Sequence, residues 1–539
     1  MPGIDGEKRP SPDEHGPEHL THEVEQYFHD DLEIERESLH DSVAHDYSTS
    51  DTGLVPLDKR RPIGHFIALW TTFAAGFSFL FVGTEVHDSG YTLLGTIGVT
   101  ALGIGIYFAY ALFGAYLGSR TGQTHSLLTR SIFGVTGSYI VSVLVVVGAL
   151  GWVGFQGGLM VQIWNGLYGW SAVEALTIIM CGVMIFNNLF GFTGISAFAR
   201  YVVTPLVMLW VIYLVIRGIV DHSALLDNHP KNTAGLAFWQ VVGVVIGFSL
   251  WGNEPDIFRY GKPKFTWPIP AFAFALGLGF ILFSVGGWMM AEFAGSSDFG
   301  AVIKYATHFS LFGAFWLAWI LATVSQFAIN DGNYYEAVNA FQNIFGGWSK
   351  WKRLYTCMIC AAIGALAGYL VNYQITNGFL KVAAFLAVTA PSATVIMCVD
   401  HFLLPRLFGI SRPLLKIPGW SETSPGNWPA IVALAISVLY GTWATGILPG
   451  EDANRYWGPA PLEAWVMAGV LYIAFVAIAR AAAPASLTLK RILGFSKVVI
   501  DEPLPSYAVV DMATQAEQAA GPDGASPPLT PSLATADGS

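Results

Sequence analysis

The chain has 539 residues, 53% of them hydrophobic and only 12% charged, about half the charged fraction of an ordinary soluble protein. Its net charge of −11 sits in the tails: residues 1–57 hold 15 acids and 3 bases, 498–539 hold 6 acids and no base, and the stretch between is +7. The bases lie at helix ends rather than along one face, which excludes nucleic-acid binding, and no phosphate loop, nucleophile elbow or HExxH motif supports an enzyme.

Residues 1–57 are predicted to form an acidic, mostly disordered cytoplasmic tail. Its six histidines (His15, His19, His22, His29, His40, His45) lack a packed framework for a metal. No cleavable leader pattern precedes the first apolar run, so that run is expected to act as the insertion signal. Residues 58–497 are predicted to form an all-α polytopic membrane domain. Runs of about 20 apolar residues span a bilayer. Twelve are predicted, near 64–83, 91–118, 132–165, 171–193, 198–220, 235–253, 267–294, 309–331, 354–372, 378–404, 428–448 and 461–482. Short loops rich in Lys and Arg stay in the cytoplasm. Lys59, Arg60 and Arg61, Arg120 and Arg130, Arg200, Arg259 with Lys262 and Lys264, Lys350 with Lys352 and Arg353, Arg406 with Arg412 and Lys416, and Arg480 with Lys490 and Arg491 all fall on one side. The alternate loops are neutral or acidic, as at Glu85, Asp88, Glu451 and Asp452. Both termini are therefore expected inside, in a cell-membrane protein.

The first span contains Ala74-Ala75-Gly76-Phe77-Ser78. The sixth contains Gly247-Phe248-Ser249 and then Gly252-Asn253-Glu254-Pro255. These are the leading spans of two sets of five. Glycine-interrupted spans at matching positions point to an inverted-repeat carrier with its site at the breaks, although glycine also serves close helix packing. In the third span, Trp152 and Gln156 are four apart and share a face. An indole can stack a flat ring, and a carboxamide can read its N–H and C=O edge; a bundle tryptophan and an interhelical glutamine bond are the plainer reading.

After the sixth span, Asp256 and Arg259 are expected to pair at the inner interface as a structural or gating element. The eighth span ends in Ser325-Gln326-Phe327-Ala328-Ile329-Asn330-Asp331. There Asn330 is a candidate substrate contact, and Asp331 a proton carrier, a charge partner or a residue at the aqueous rim. Asp400 and His401 close the tenth span as structural or relay groups. Cys357 and Cys360 have metal-motif spacing but no second ligand pair, and with Cys181 and Cys398 they read as packing. Residues 498–539 are predicted to form a second disordered cytoplasmic tail.

Gly118-Ser119-Arg120-Thr121-Gly122, Leu127 to Gly134 with Arg130 and Phe133, Gly137-Ser138, Gly151-Trp152-Val153-Gly154-Phe155-Gln156 and Asp256-x-x-Arg259-Tyr260 together resemble the nucleobase:cation symporter-1 family. The resemblance runs over about 58–480. It implies a LeuT-like fold of two inverted five-helix repeats plus two peripheral helices. It also implies alternating-access uptake of a nucleobase or related heterocycle such as cytosine, a purine, allantoin or hydantoin. By the same resemblance Trp152 stacks the substrate, Gln156 and Asn330 bond it, and Gly247, Phe248 and Ser249 form the opposite wall. No cofactor is implied, only a coupling ion. A sodium site would lie between the first-span break (Ala75, Gly76, Ser78) and the eighth span. Where relatives carry paired hydroxyls this chain has Ala328-Ile329, leaving Thr323 and Ser325 as substitutes and keeping proton coupling open. A different cargo on the same fold, such as an amino acid or vitamin precursor, and a non-transporting sensor are the alternatives.

Overall fold

The computed structural model describes residues 55, 60–74, 76–170, 172–249, 252, 254–296, 298–345, 353–374, 379–412, 424–446, 458–483 and 487–495. The two tails (Val55 apart), Ala75, Lys59, Lys350, Lys352, Lys416, Glu451 and Asp452 lie outside the described residues. Within them the chain is helical, without a named strand.

In chain order the main helices are α1 (Ile63–Ala74), α2 (Ser78–Asp88), α3 (Leu93–Thr121), α4 (His125–Tyr168), α5 (Val173–Val183), α6 (Thr204–Asp221), α7 (Phe238–Ser249), α8 (Glu254–Phe258), α9 (Ile281–Ala294), α10 (Phe299–Phe309), α11 (Phe315–Phe345), α12 (Arg353–Tyr369), α13 (Phe379–Cys398), α14 (Trp428–Ala444) and α15 (Ala460–Ala482). Eight helices among the described residues are long and apolar enough to cross a membrane, and α1 with α2, meeting at 51°, makes nine. Three further predicted spans are helical but shorter or more polar: the interrupted α7–α8, the polar α11, and α14.

The two breaks fall where glycine forecast them. α1 stops at Ala74 and α2 starts at Ser78; α7 stops at Ser249 and α8 starts at Glu254, with Gly252 at φ +68° between them. α4 packs along α11 at the centre of the bundle. α2 and α9 cross so tightly that a Cβ on Gly83 or Gly287 would collide with the backbone of the other helix, the small-residue contact by which helices associate in lipid.

Two boundaries differ from expectation for one physical reason. The eighth span, expected to close at 331, runs on to Phe345. Its polar second half is not leaving the bundle but is bonded inside it. Asn343 accepts from Arg130 (2.8 Å) and donates to Ser138 (2.7 Å) and Ser142 (2.9 Å). Asn339 donates to Asp256 (2.9 Å), and Gln342 accepts from Arg353 (3.2 Å). The third span likewise starts earlier, at His125, where the Thr124 side chain caps the Leu127 N–H.

α4 is kinked at Gly134, whose φ of +72° suits glycine alone. The freed backbone groups bond a neighbouring segment: Val135 donates to Ser424 (2.8 Å), and Phe133 accepts from Asn427 (2.9 Å). A buried network extends that joint. Arg412 holds Asp400 through both carboxylate oxygens (2.9 and 3.0 Å), Tyr472 donates to Asp400, and Asn427 donates to Tyr472 (3.0 Å). The four cysteines are free thiols, with Cys181, Cys357 and Cys360 buried, which fits packing.

Candidate substrate site

Trp152 lies half-buried on α4, beside the α7–α8 break. Its ring meets Phe248 of α7 edge to face at 5.2 Å between centroids, and Phe155 meets both at 5.6 Å. Phe248 of the expected opposite wall therefore lies against Trp152 and Phe155. Phe81 of α2 joins Phe155 and Phe248 at 6.1 and 5.8 Å, and Phe299 of α10 meets Phe81 at 5.3 Å. Such tilted and T-shaped pairs hold their mutual angles through ring quadrupoles. Sequence reasoning missed Phe155, Phe81 and Phe299. Phe155 follows Trp152 by three residues and was legible from spacing; the other two come from separate helices and carried no signal.

Gly247 and Ser249 are buried at the end of α7, and the Ser249 hydroxyl turns back to the Ile246 carbonyl (3.1 Å). Gln156 is 2% exposed and its Oε1 has no hydrogen-bond partner. Asn330 is fully buried on α11. Its amide donates to the Val153 carbonyl (3.3 Å), next to Trp152, and to Met184 Sδ (2.7 Å), while Asn333 donates to its oxygen (3.0 Å). One turn earlier on the same face, Gln326 is fully buried with neither Oε1 nor Nε2 partnered. Gln326 was overlooked, although its spacing from Asn330 was readable. Orphaned polar atoms inside a protein are costly and ask for a partner.

The cation-site candidates separate into two groups. Ser325 faces the first break: it accepts weakly from the Phe77 N–H (3.5 Å), and its Oγ lies 3.5 Å from where a Gly76 Cβ would stand. Ser78 is buried with an unpartnered hydroxyl. Thr323 is not brought to this point. It accepts from Trp164 of α4 (2.8 Å) and donates to Trp319 (2.9 Å). Ala75 lies outside the described residues.

Asp331 is mid-helix rather than at the end of a span, 1% exposed, and held by Asn187 through Oδ2 (2.9 Å). The pair expected between Asp256 and Arg259 is replaced by other partners. Asp256 accepts from Asn339, while Arg259 donates to the hydroxyls of Tyr260 (3.0 Å) and Tyr335 (2.9 Å). Arg60, just before α1, reaches the same turn at the Arg259 and Gly261 carbonyls. That contact ties the entry of the first span to the end of the sixth, as a gate would require.

A family model described as permeases for cytosine/purines, uracil, thiamine and allantoin matches residues 65–460. The cytosine permease of Escherichia coli strain K12 is 26% identical over 392 residues, covering 71% of this chain and 83% of that protein. Mhp1, a nucleobase-cation-symport-1 family transporter solved in a closed conformation with bromovinylhydantoin bound, superposes with a TM-score of 0.63 at 18% identity, over 82% of this chain and 98% of that one. A Na+-coupled sialic acid symporter in a substrate-bound outward-open state gives 0.56 at 10% identity, over 83% and 98%. At these identities the solved structures speak for the fold, and the fold is the LeuT-like inverted repeat that the matched breaks pointed to.

Proposed function

We infer that this chain, which belongs to the family of permeases for cytosine/purines, uracil, thiamine and allantoin, carries a nucleobase-like planar heterocycle into the cell by cation-coupled symport. It is a multi-pass membrane transporter and not an enzyme. The observation that carries the substrate reading is the aromatic group of Trp152, Phe155 and Phe248 beside two buried carboxamides, Gln156 and Gln326, with unpartnered polar atoms. A flat ring with alternating N–H and C=O groups satisfies both features, stacking on the arenes and supplying the missing hydrogen bonds. An amino acid would bring two charges that neither feature neutralises. On this reading Trp152 stacks the ring, Gln156 and Gln326 read its edge, Asn330 fixes the α4 backbone behind them, and Phe81 with Phe299 closes the outer side. Gly76, Ser78 and Ser325 supply oxygens or space for a cation at the first break, and the Arg60–Arg259 turn gates the cytoplasmic side, where both termini lie.

The test is uptake of radiolabelled cytosine, with adenine, uracil, hypoxanthine, allantoin and hydantoin as competitors, in cells lacking their own carriers. Aromatic–base stacking is worth about 1–3 kcal/mol, so Trp152→Ala should weaken apparent affinity roughly 5- to 150-fold. Uptake that is saturable and lost in Gln156→Ala as well supports the site. If no compound in the panel enters or competes while the protein is at the membrane, the heterocycle assignment fails.

A further inference from the structure

The α7–α8 break carries a second polar centre, about 9 Å along α11 from Asn330 at 1.5 Å per residue, toward the base-rich end. Glu254, the first residue of α8, is fully buried. Tyr107 of α3 donates to its Oε1 (2.7 Å), and its Oε2 has no partner. That free oxygen faces α3 and α13, 3.7 Å from where a Gly114 Cβ would stand, next to Thr394. Thr394 in turn bonds His125 Nε2 (2.9 Å). Glu336 of α11 is 4% exposed and has no hydrogen-bond donor among the described residues. Its Oε1 is aimed into the break, 3.0 Å from the position of a Gly252 Cβ, so the bare glycine leaves it room. Glu254 and Asp256 lie within electrostatic reach of Glu336.

Glu254 also draws on the Gly252 and Glu254 backbone N–H groups, yet two buried carboxyls with one side-chain donor between them and no bonded cation favour a bound proton. No group of three or more His, Cys, Asp or Glu among the described residues converges to hold a metal; the cation that an unpartnered oxygen of a buried carboxyl accepts directly is a proton. Asp256 and Asp331 nearby are likewise each held through one oxygen, by Asn339 and Asn187, with the other oxygen unpartnered; Glu254 and Glu336 are set apart by their place at the α7–α8 break. The groups facing the pair are Tyr107 and Tyr110 from α3, His125 from α4, Asp256 from α8 and Cys398 from α13. The guanidiniums of Arg130, Arg259 and Arg353 bond Asn343, Tyr335 and Gln342, and Arg259 acts electrostatically on Asp256.

We propose that Glu254 and Glu336 are the proton-coupling site of this transporter. One carboxylate oxygen accepts a proton from a hydronium ion on the outer side while the substrate site is loaded, the hydronium O–H breaking as the carboxyl O–H forms; on the cytoplasmic side the carboxyl O–H breaks and the proton passes to a water molecule. The site is placed to couple because Glu254 moves with α8 and Glu336 with α11. Relative movement of the broken span against α11 then changes the distance between the carboxyls and their contact with water. The proposal rests on the heterocycle-transport reading above and deepens it by naming the proton as the ion, which places coupling at the second break in place of the first.

The experiment uses the full chain in sodium-free liposomes with radiolabelled cytosine, or the panel member that the wild type exchanges, and an internal pH dye. The wild type should accumulate substrate under an inward proton gradient, and adding substrate should acidify the lumen. Glu336→Gln and Glu254→Gln should each lower gradient-driven accumulation at least tenfold while substrate exchange at equal pH stays within about threefold, and Glu336→Asp should recover part of the loss. Accumulation driven by sodium alone, or glutamine variants that still concentrate substrate on a pH gradient, overturns the proposal and leaves the transport reading standing. Failure of the wild type to exchange any compound of the panel sinks both. Should the variants be lost from the membrane, substrate-induced acidification by the wild type decides alone, and its absence in sodium-free buffer overturns the proposal.

Discussion

Asp400 and the Glu254–Glu336 pair are buried to the same degree and served in opposite ways. Asp400 receives two bonds from Arg412 and one from Tyr472, and Arg412 donates further to the Leu493 carbonyl. Glu254 receives one side-chain bond, from Tyr107, beside backbone N–H groups at its own turn, and Glu336 receives no side-chain bond among the described residues. The first network joins α13, α15 and the kink of α4 into one block. The second lies across the break between α7 and α8. The difference teaches where ionisable groups in a bundle hold and where they work. A carboxyl held through both oxygens by an arginine is fixed in place, while a carboxyl with an idle oxygen has one available to a proton.

The comparison breaks most forcefully at Arg412. Truncating one partner of a buried pair leaves the other charge uncompensated and costs about 3–5 kcal/mol. Arg412→Ala should therefore lose most folded protein in a detergent thermal-unfolding assay, and a variant as stable as the wild type would remove Asp400 as an anchor. A smaller effect is expected at the neighbouring kink. Gly134 sits at φ +72°, and a Cβ there would stand 2.7 Å from the Ser424 carbonyl oxygen. A non-glycine residue held in such a conformation costs about 1–3 kcal/mol. Gly134→Ala should lower the unfolding midpoint by less than Arg412→Ala does, and a midpoint unchanged from wild type would mean that the Ser424–Asn427 segment is not docked on α4.

The anchor and the coupling centre were unequally legible. The breaks could be read because glycine clusters interrupt two apolar runs at matching places, and Trp152 with Gln156 could be read because four residues make one turn. The coupling centre could not. Glu254 and Glu336 belong to different helices, and the second falls in the polar half of α11, which hydropathy assigns to water. That half is polar because Arg130, Asp256 and Arg353 wait for it on other helices, and an average along the chain does not report what faces a residue across a bundle. Asp400 was noted at the end of its span, but Arg412, Tyr472 and Asn427, which fix its role, lie 12, 72 and 27 residues away in sequence. Asp256 and Arg259 show the reverse error: nearness in sequence suggested a pair, whereas Asn339 and Tyr335, both from α11, take the two groups.

The smallest expected effect separates the two centres most finely. Removing the Tyr107 hydroxyl deletes the one side-chain hydrogen bond to Glu254 and leaves the aromatic packing of α3 in place. If Glu254 is a neutral carboxyl, Tyr107→Phe removes an ordinary hydrogen bond, about 0.5–1.5 kcal/mol; an ionised acceptor would make the loss about 1.5–3 kcal/mol. At the anchor, Tyr472→Phe removes a donor from the carboxyl paired with Arg412 and an acceptor from Asn427, and it should fall in the larger range. Measured side by side by detergent unfolding at one pH, Tyr107→Phe should cost less than Tyr472→Phe. Equal costs, or the reverse order, would mean that Glu254 carries a charge at rest, and the reason for assigning it a proton would be gone.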